Sequence, residues 1–297
     1  MNKMTKIDSK SSERELIHPR PVESTTTGLT SDLSAQKRLG AIISNNLPAI
    51  TFFIIVVLIW EIATKYLSLV PSYLLPAPSA IVKEMFQPGT NLLKHTWVTT
   101  TEILVGYALG TIVGFASALI IVYSPFLRRI IYPIVLLSQF VPKLAIAPLI
   151  IVWFGFSITP KVIVTALICL FPILIDSVVG LEASDPRLLD LMHTYDANRW
   201  QVFRKIRLPT AAPHIFAGLK VGITLATIGA IVAEWISAEA GLGYLVVFAL
   251  GFFQIERLFA ALVMITILGL FLFLIIVLLE KAINPHQPSV ARVNEAV

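Results

Sequence analysis

Ionisable and polar side chains set inside long apolar stretches are where this sequence could do chemistry, because a charge held away from water must be paired, hydrated or used. Ser138, Gln139 and Lys143 share one such stretch, and Asp176, Glu234 and the adjoining Trp235 lie in two others. Along a cavity these groups would form a polar path through an apolar body, with Lys143 attracting an anion. The structural alternative is equally concrete: Lys143 snorkels or pairs with Asp176, and Asp176 and Glu234 are bonded inside a helix bundle. Glu61 and Lys65, four residues apart, read as an ion pair on a helix surface.

A second group is polar throughout. Residues 190–209, DLMHTYDANRWQVFRKIRLP, read as two short helices outside a membrane joined by a tight turn. Asp185 suits an N-cap and Pro186 the first helical position after it. Tyr195, Trp200 and Phe203 supply large apolar anchors beside Arg199, Arg204 and Lys205, the mixture of a protein-docking surface. A helix resting on lipid headgroups carries the same residue types.

The elements that must position these groups follow from composition. With 56% apolar and 14% charged residues, the chain is an integral membrane protein rather than a soluble one. A hydrocarbon core about 30 Å thick needs roughly 20 apolar residues per helix. Six stretches qualify: 47–66, 97–123, 130–156, 162–181, 215–236 and 258–279. All are expected to be helices, because a lone segment in lipid must satisfy its own backbone. The expected fold is therefore an all-α integral membrane protein of six transmembrane helices. It divides into a largely disordered tail at 1–46 with a short amphipathic piece at 33–43, a membrane domain at 47–281 whose polar loop covers 183–212, and a tail at 282–297. The first apolar core begins too late for a secretory signal.

Basic residues set the orientation. With the N-terminus in the cytoplasm, Lys65, Lys83, Lys94, Lys161 and Arg257 fall outside and Lys143 and Lys220 fall within spans; the other sixteen of the 23 Lys and Arg fall inside. Both termini and residues 190–209 are thus expected in the cytoplasm, and the net charge of +5 reflects topology, not nucleic-acid binding.

Within the membrane, Gly106, Gly110 and Gly114 repeat every four residues and let another helix approach, within the chain or across a dimer. Pro133, Pro142 and Pro148 break the third stretch, as expected where a helix lines a cavity. Residues 242–253 are too short to span and fit a re-entrant or interfacial helix on the outer side, a gate, with Gly241 and Gly243 as turn residues. Cys169, the single cysteine, reads as a small buried apolar side chain. No phosphate-binding loop and no Cys/His metal spacing occurs, so no cofactor or metal is expected and any energy conversion belongs to another chain.

The sequence resembles the membrane permeases of bacterial ABC importers, in the branch of taurine, aliphatic sulfonate, nitrate and thiamine-precursor permeases. That family's loop signature is EAA, three residues, Gly, nine residues, then I-x-L-P. Aligned on Ile206, Leu208 and Pro209, it puts Asp190, Leu191 and Met192 at the EAA and Asp196 at the glycine, without a gap. LLPAPSAIV at 74–82, PKLAIAPLIIVWFG at 142–155 and GLGYL at 241–245 match in order, and the likeness runs over 47–286. Two positions depart: Asp196 stands where a left-handed turn favours glycine, and Asp190 is one methylene shorter than Glu.

The resemblance implies a MetI-like five-helix core and coupling helices that seat on ATP-binding subunits through Asp190, Met192, Tyr195, Asp196, Arg199, Trp200, Phe203, Arg204 and Pro209. It implies two ATPase subunits, an external solute-binding protein, a second permease copy and the bacterial inner membrane. Translocation would pass Ser138, Gln139, Lys143, Asp176, Glu234 and Trp235 by alternating access, and the chain itself would not be an enzyme. Lys143 suits a small anion such as a sulfonate; Phe140, Trp153, Phe156 and Trp235 suit a heteroaromatic vitamin precursor. An ion-coupled secondary transporter would instead show inverted repeats, and none is seen.

Overall fold

A computed structural model describes residues 47–237 and 239–284; the expected N-terminal tail with its amphipathic piece, and the end of the C-terminal tail, lie outside the described residues. The first helix, α1 (Leu47–Tyr66), contains the boundary between two compact units, 1–57 and 58–297. Residues 47–57 form an apolar helical stretch whose side chains are largely exposed, as suits a surface facing lipid.

In the second unit α1 ends in a π-turn, Ile62–Tyr66. Glu61 pairs with Lys65 at 3.1 Å, as i and i+4 geometry predicts, and also accepts hydrogen bonds from the Ser79 amide (3.0 Å) and hydroxyl (2.7 Å). Its carboxylate thereby caps α2 (Pro78–Met85), whose first residue is a proline that has no N–H to satisfy. Long helices follow: α3 (Leu92–Tyr123), α6 (Ile158–Glu182), α9 (Leu208–Ser237) and α11 (Ile255–Ile283). With α1 they make, among the described residues, five helices long and apolar enough to cross a membrane.

The expected third span is instead a broken pair. Residues α4 (Pro125–Ser138) and α5 (Lys143–Phe154) meet at a bend of 98°, so six spans result only if the pair counts as one. Pro142 stands at the break, where its ring disfavours helical backbone at Val141 and it offers no amide to continue the ladder.

At the centre α6 packs between α3 and α9. The glycine stripe belongs to this seam and not to a dimer: an added Cβ at Gly106 would lie 2.5 Å from Thr165 Cβ, and one at Gly114 2.9 Å from the Leu170 carbonyl. Gly218 and Gly229 do the same on the α9 side, facing Asp176 and Thr165 of α6. Without a hydrophobic drive between helices in lipid, close backbone approach supplies the packing that holds them. The buried core includes Ile103, Cys169, Ile173, Ile223, Leu242 and Leu268. Cys169 is a buried free thiol against α3, as expected from its mid-span position. Ion pairs fasten the periphery: Arg128 to Glu182 at 2.8 Å, Lys220 to Glu280 at 3.0 Å and Arg257 to Glu84 at 3.1 Å.

Candidate functional site

The polar loop between α6 and α9 is ordered by its own caps. Asp185 Oδ1 accepts the Arg187 amide at 2.9 Å and starts α7 (Pro186–Thr194). At the other end the Asp196 amide donates to the His193 carbonyl and the Ala197 amide to the Met192 carbonyl, both at 3.0 Å. That pair of bonds is a Schellman stop, which needs a left-handed residue after the cap. Asp196 fills that position with φ of 50°, so the family glycine is replaced without loss of the turn. Asn198 and Gln201 then exchange side-chain and backbone bonds at 2.9 Å, a capping box that opens α8 (Arg199–Val202).

The second loop helix differs from the expected separate element. From α8 the chain passes through a π-turn, Phe203–Arg207, straight into α9, giving one helix of 39 residues, Arg199–Ser237. At 1.5 Å per residue it is about 58 Å long, nearly twice the hydrocarbon thickness, so its first turns stand clear of lipid. Tyr195 and Trp200 are 76% and 65% exposed, and Asp190, Asp196, Arg199, Arg204 and Pro209 are exposed with them. Met192 and Phe203 are half-buried. Phe203 packs on Trp200 (ring centroids 5.5 Å apart) and edge-on to Tyr123 of α3 (6.4 Å), while the Arg207 guanidinium lies over Tyr123 at 5.4 Å. Leu119, Tyr123, Arg199, Trp200 and Phe203 surround a cavity of about 370 Å³.

The transmembrane candidates do not form one cluster. Ser138 Oγ donates to the Val135 carbonyl at 2.6 Å, a bond within its own helix, and Gln139 is exposed at the α4–α5 bend. Lys143 opens α5, and its ammonium lies over the Phe171 ring at 4.4 Å rather than in the pairing with Asp176 that stood as one alternative. Asp176 is half-buried beside Gly218, on the α6 face turned to α9. Phe140, Trp153 and Phe156, all exposed, belong to the bent pair and the turn after it, and Trp235 is exposed on α9.

Glu234 sits elsewhere, 1% exposed, in a network that sequence reading missed. Its Oε1 accepts from the Thr99 hydroxyl at 2.7 Å and its Oε2 from the Gly243 amide. Thr99 in turn accepts from the Leu242 amide at 2.7 Å, and His95 Nδ1 accepts from Gly241 at 3.0 Å. The N-cap amide of Gly241 and the first two amides of α10 (Leu242–Gly251), the short apolar helix expected after the fifth span, are thus bonded by α3 and α9. Gly241, at φ of 121° and ψ of 167°, is the turn residue foreseen. Gly243 is not: it is helical, and its Cβ would lie 2.7 Å from the Ile231 carbonyl.

Close by, Glu102 of α3 and Lys161 of α6 form an ion pair at 2.9 Å, both buried. Lys161 is therefore an interior partner rather than the outer-loop cation of the topology count. The signal for Glu102 was in the sequence, a carboxylate five residues into an apolar stretch and one helical turn before Gly106.

Comparison with known proteins gives this geometry its setting. The profile described as "Binding-protein-dependent transport system inner membrane component" matches residues 106–286. The chain belongs to this family. Among its relatives, a probable ABC transporter permease protein of Haemophilus influenzae is 35% identical over 74% of this chain and 89% of its own length. The formylaminopyrimidine transport permease protein ThiX of Halalkalibacterium halodurans is 33% identical over 80% and 94%. A putative aliphatic sulfonates permease, SsuC of Bacillus subtilis, is 29% identical over 79% and 83%. In fold, the permease resembles a chain of the MetNI methionine ABC transporter solved in inward-facing conformations, with a TM-score of 0.56 at 17% identity over 64% of this chain and 95% of that one. The permease is thus an all-α, membrane-spanning transport subunit of the inner-membrane component family.

Proposed function

We propose that this permease forms the translocation path of an ATP-driven importer for a small organic solute, working with two ATP-binding subunits, an external solute-binding protein and a second permease copy. The observation that carries the reading is the α7–α8 corner: two well-capped helices with Tyr195 and Trp200 exposed at the end of a helix that outruns the membrane. Large aromatic anchors held on rigid elements are what a docking surface requires. ATP hydrolysis belongs to the partner, and the loop faces the cytoplasm with both termini. The path is assigned to the α4–α5 bend, where Ser138, Gln139 and Lys143 lie together, with Asp176 and Trp235 on the neighbouring helices. Glu234 leaves that path, since both of its oxygens are bonded in the interior.

For the substrate, Lys143 with its helix start favours an anion of the sulfonate type. The exposed rings of Phe140, Trp153 and Phe156 around the same bend favour the second reading, a heteroaromatic precursor, in line with the formylaminopyrimidine and riboflavin permeases among the relatives. Reconstitution with the neighbouring ATPase tests the whole. Trp200→Ala is expected to leave the permease folded while ligand-loaded binding protein no longer stimulates ATP hydrolysis; full stimulation in that variant refutes the docking surface. Uptake of a labelled sulfonate against a labelled aminopyrimidine, each with Lys143→Met, separates the two substrate classes.

A further inference from the structure

Where the ends of α3, α4 and α6 meet the start of α7, a second cavity of about 320 Å³ opens, lined by Arg128, Arg207, Glu182, Ser184, Leu181 and Leu189. It lies at the start of α4, apart from the α4–α5 bend and the path assigned there. Pockets for small ligands run from about 300 Å³ upward. Two observations single it out. Ser184 is 6% exposed and its Oγ has no hydrogen-bond partner among the described residues. Arg207 Nε is likewise buried without one, and the residues carrying these two atoms both contribute to the lining of this one cavity. Buried donors without partners are rare in native structures, because each costs its full desolvation, so two around a single cavity mark a place where an acceptor belongs.

The acceptor's charge follows from the remaining groups. The lining carries two guanidiniums, Arg128 and Arg207, and one carboxylate, Glu182, which is engaged with Arg128. The nearby Asp185 carboxylate is committed to the α7 amide of Arg187. A net positive cavity offering guanidinium N–H groups and a hydroxyl matches a phosphate oxyanion, to which arginine bonds as a fork. Leu181 and Leu189 on the same walls, and the position at the ends of membrane-spanning helices, match the glycerol and upper acyl region that follows a headgroup. Basic pockets between helices at this depth take anionic headgroups.

We propose that Arg207, Ser184 and Arg128 form a binding site for a phosphate group, carried by an anionic lipid headgroup or as free phosphate. Only the side of the membrane rests on the topology proposed above; the site itself does not. Native mass spectrometry of the purified permease in neutral detergent, offered phosphatidylglycerol or phosphatidylcholine at equal concentration, measures it directly. Retention of the anionic lipid is expected to be about tenfold the greater, in keeping with one to two basic contacts. Arg207→Gln abolishes that preference, Ser184→Ala lowers it by about threefold, and Arg129→Gln, whose side chain is not in the lining, leaves it intact.

Inorganic phosphate titrated into the same samples separates the sources. Displacement of the lipid at millimolar phosphate shows a site that also reads the free ion, and retention shows one that needs the lipid. Equal binding of both lipids with no phosphate binding overturns the proposal, as does a preference that survives both substitutions. Should Arg207→Gln fail to fold, Ser184→Ala decides. Because the readout is binding to the isolated chain, a negative result leaves the importer reading standing, and a failed ATPase assay leaves this site standing.

Discussion

Replacing Glu234 tests whether the α10 helix is bolted to the bundle or free to move as a gate. In Glu234→Gln the side-chain oxygen can still take the Gly243 amide. The new amide can donate to Thr99 Oγ1, whose own proton turns to the His95 carbonyl already 3.2 Å away. Every group stays satisfied, so the loss is small, no more than about 1 kcal/mol. In Glu234→Ala the Gly243 amide is orphaned in the interior, costing about 1–3 kcal/mol, and a void adds about 1 kcal/mol more.

The totals are therefore about 1 and about 2–4 kcal/mol. Amide exchange at Leu242, Gly243 and Tyr244, read by mass spectrometry in detergent, reports local opening of α10 directly. At a factor of ten per 1.4 kcal/mol, Ala is expected to speed exchange about 30- to 700-fold and Gln no more than about fivefold. Thermal unfolding should fall by roughly 4–16 °C for Ala and by no more than about 4 °C for Gln. If Ala exchanges at the native rate, or if Gln is as damaging as Ala, the capping account of this carboxylate is wrong.

Four further outcomes are expected. Asp196→Gly relieves a left-handed non-glycine residue worth about 1 kcal/mol, so the unfolding temperature should rise by a few degrees with transport unchanged; a loss of ATPase coupling would assign the carboxylate a contact of its own. Lys161→Ala strands the buried Glu102 carboxylate and should cost about 3–5 kcal/mol in unfolding experiments, whereas Lys161→Met with Glu102→Leu should recover most of it. Gly110→Leu drives a side chain into Cys169 and the Ala166 backbone, and size-exclusion chromatography should show aggregated protein where Leu109→Ala, on the exposed face, stays monodisperse. A short maleimide bridge between Tyr107→Cys on α3 and Leu219→Cys on α9 should leave transport intact, while one between Lys143→Cys and Phe171→Cys should stop it.

The spans were legible because lipid imposes a length and an apolar composition that no other demand overrides; α3, α6, α9 and α11 each contain their predicted stretch and extend a few residues past it. The loop was legible for another reason: Asp185, Pro186 and Asp196 act through local backbone geometry, which sequence spacing fixes, whereas the Asn198–Gln201 capping box was not read from it. The 98° bend was not, since three prolines announce a break without giving its angle, which the packing of α5 on α6 sets. Nor was the continuity of α8 with α9: the loop was expected as two short helices ending by Pro209, yet Pro209 falls in the first turn of α9, and the π-turn before it joins the two. The Glu102, Lys161, Glu234 and Thr99 network joins positions up to 135 residues apart, and no periodicity within one helix reports a partner on another.

In the importer proposed above, these attachments decide which parts can move. The 39-residue helix carrying Trp200 is tied to α3 near one end by Phe203 on Tyr123 and near the other by Glu234 on Thr99, with α6 pressed against both through glycine contacts. Two long helices fastened at both ends, with a third between them, resist shear, so a push on Trp200 reaches α10 without loss at an internal joint. Relative motion must then fall where attachment is thin. That place is α4, in which Val135 is the one buried residue, and the bend that joins it to α5. Ser138, Gln139 and Lys143 of the proposed path lie at this bend, so docking at one end of a stiff slab would change the surroundings of Lys143, beside Phe171 midway along α6, without any of the three central helices deforming.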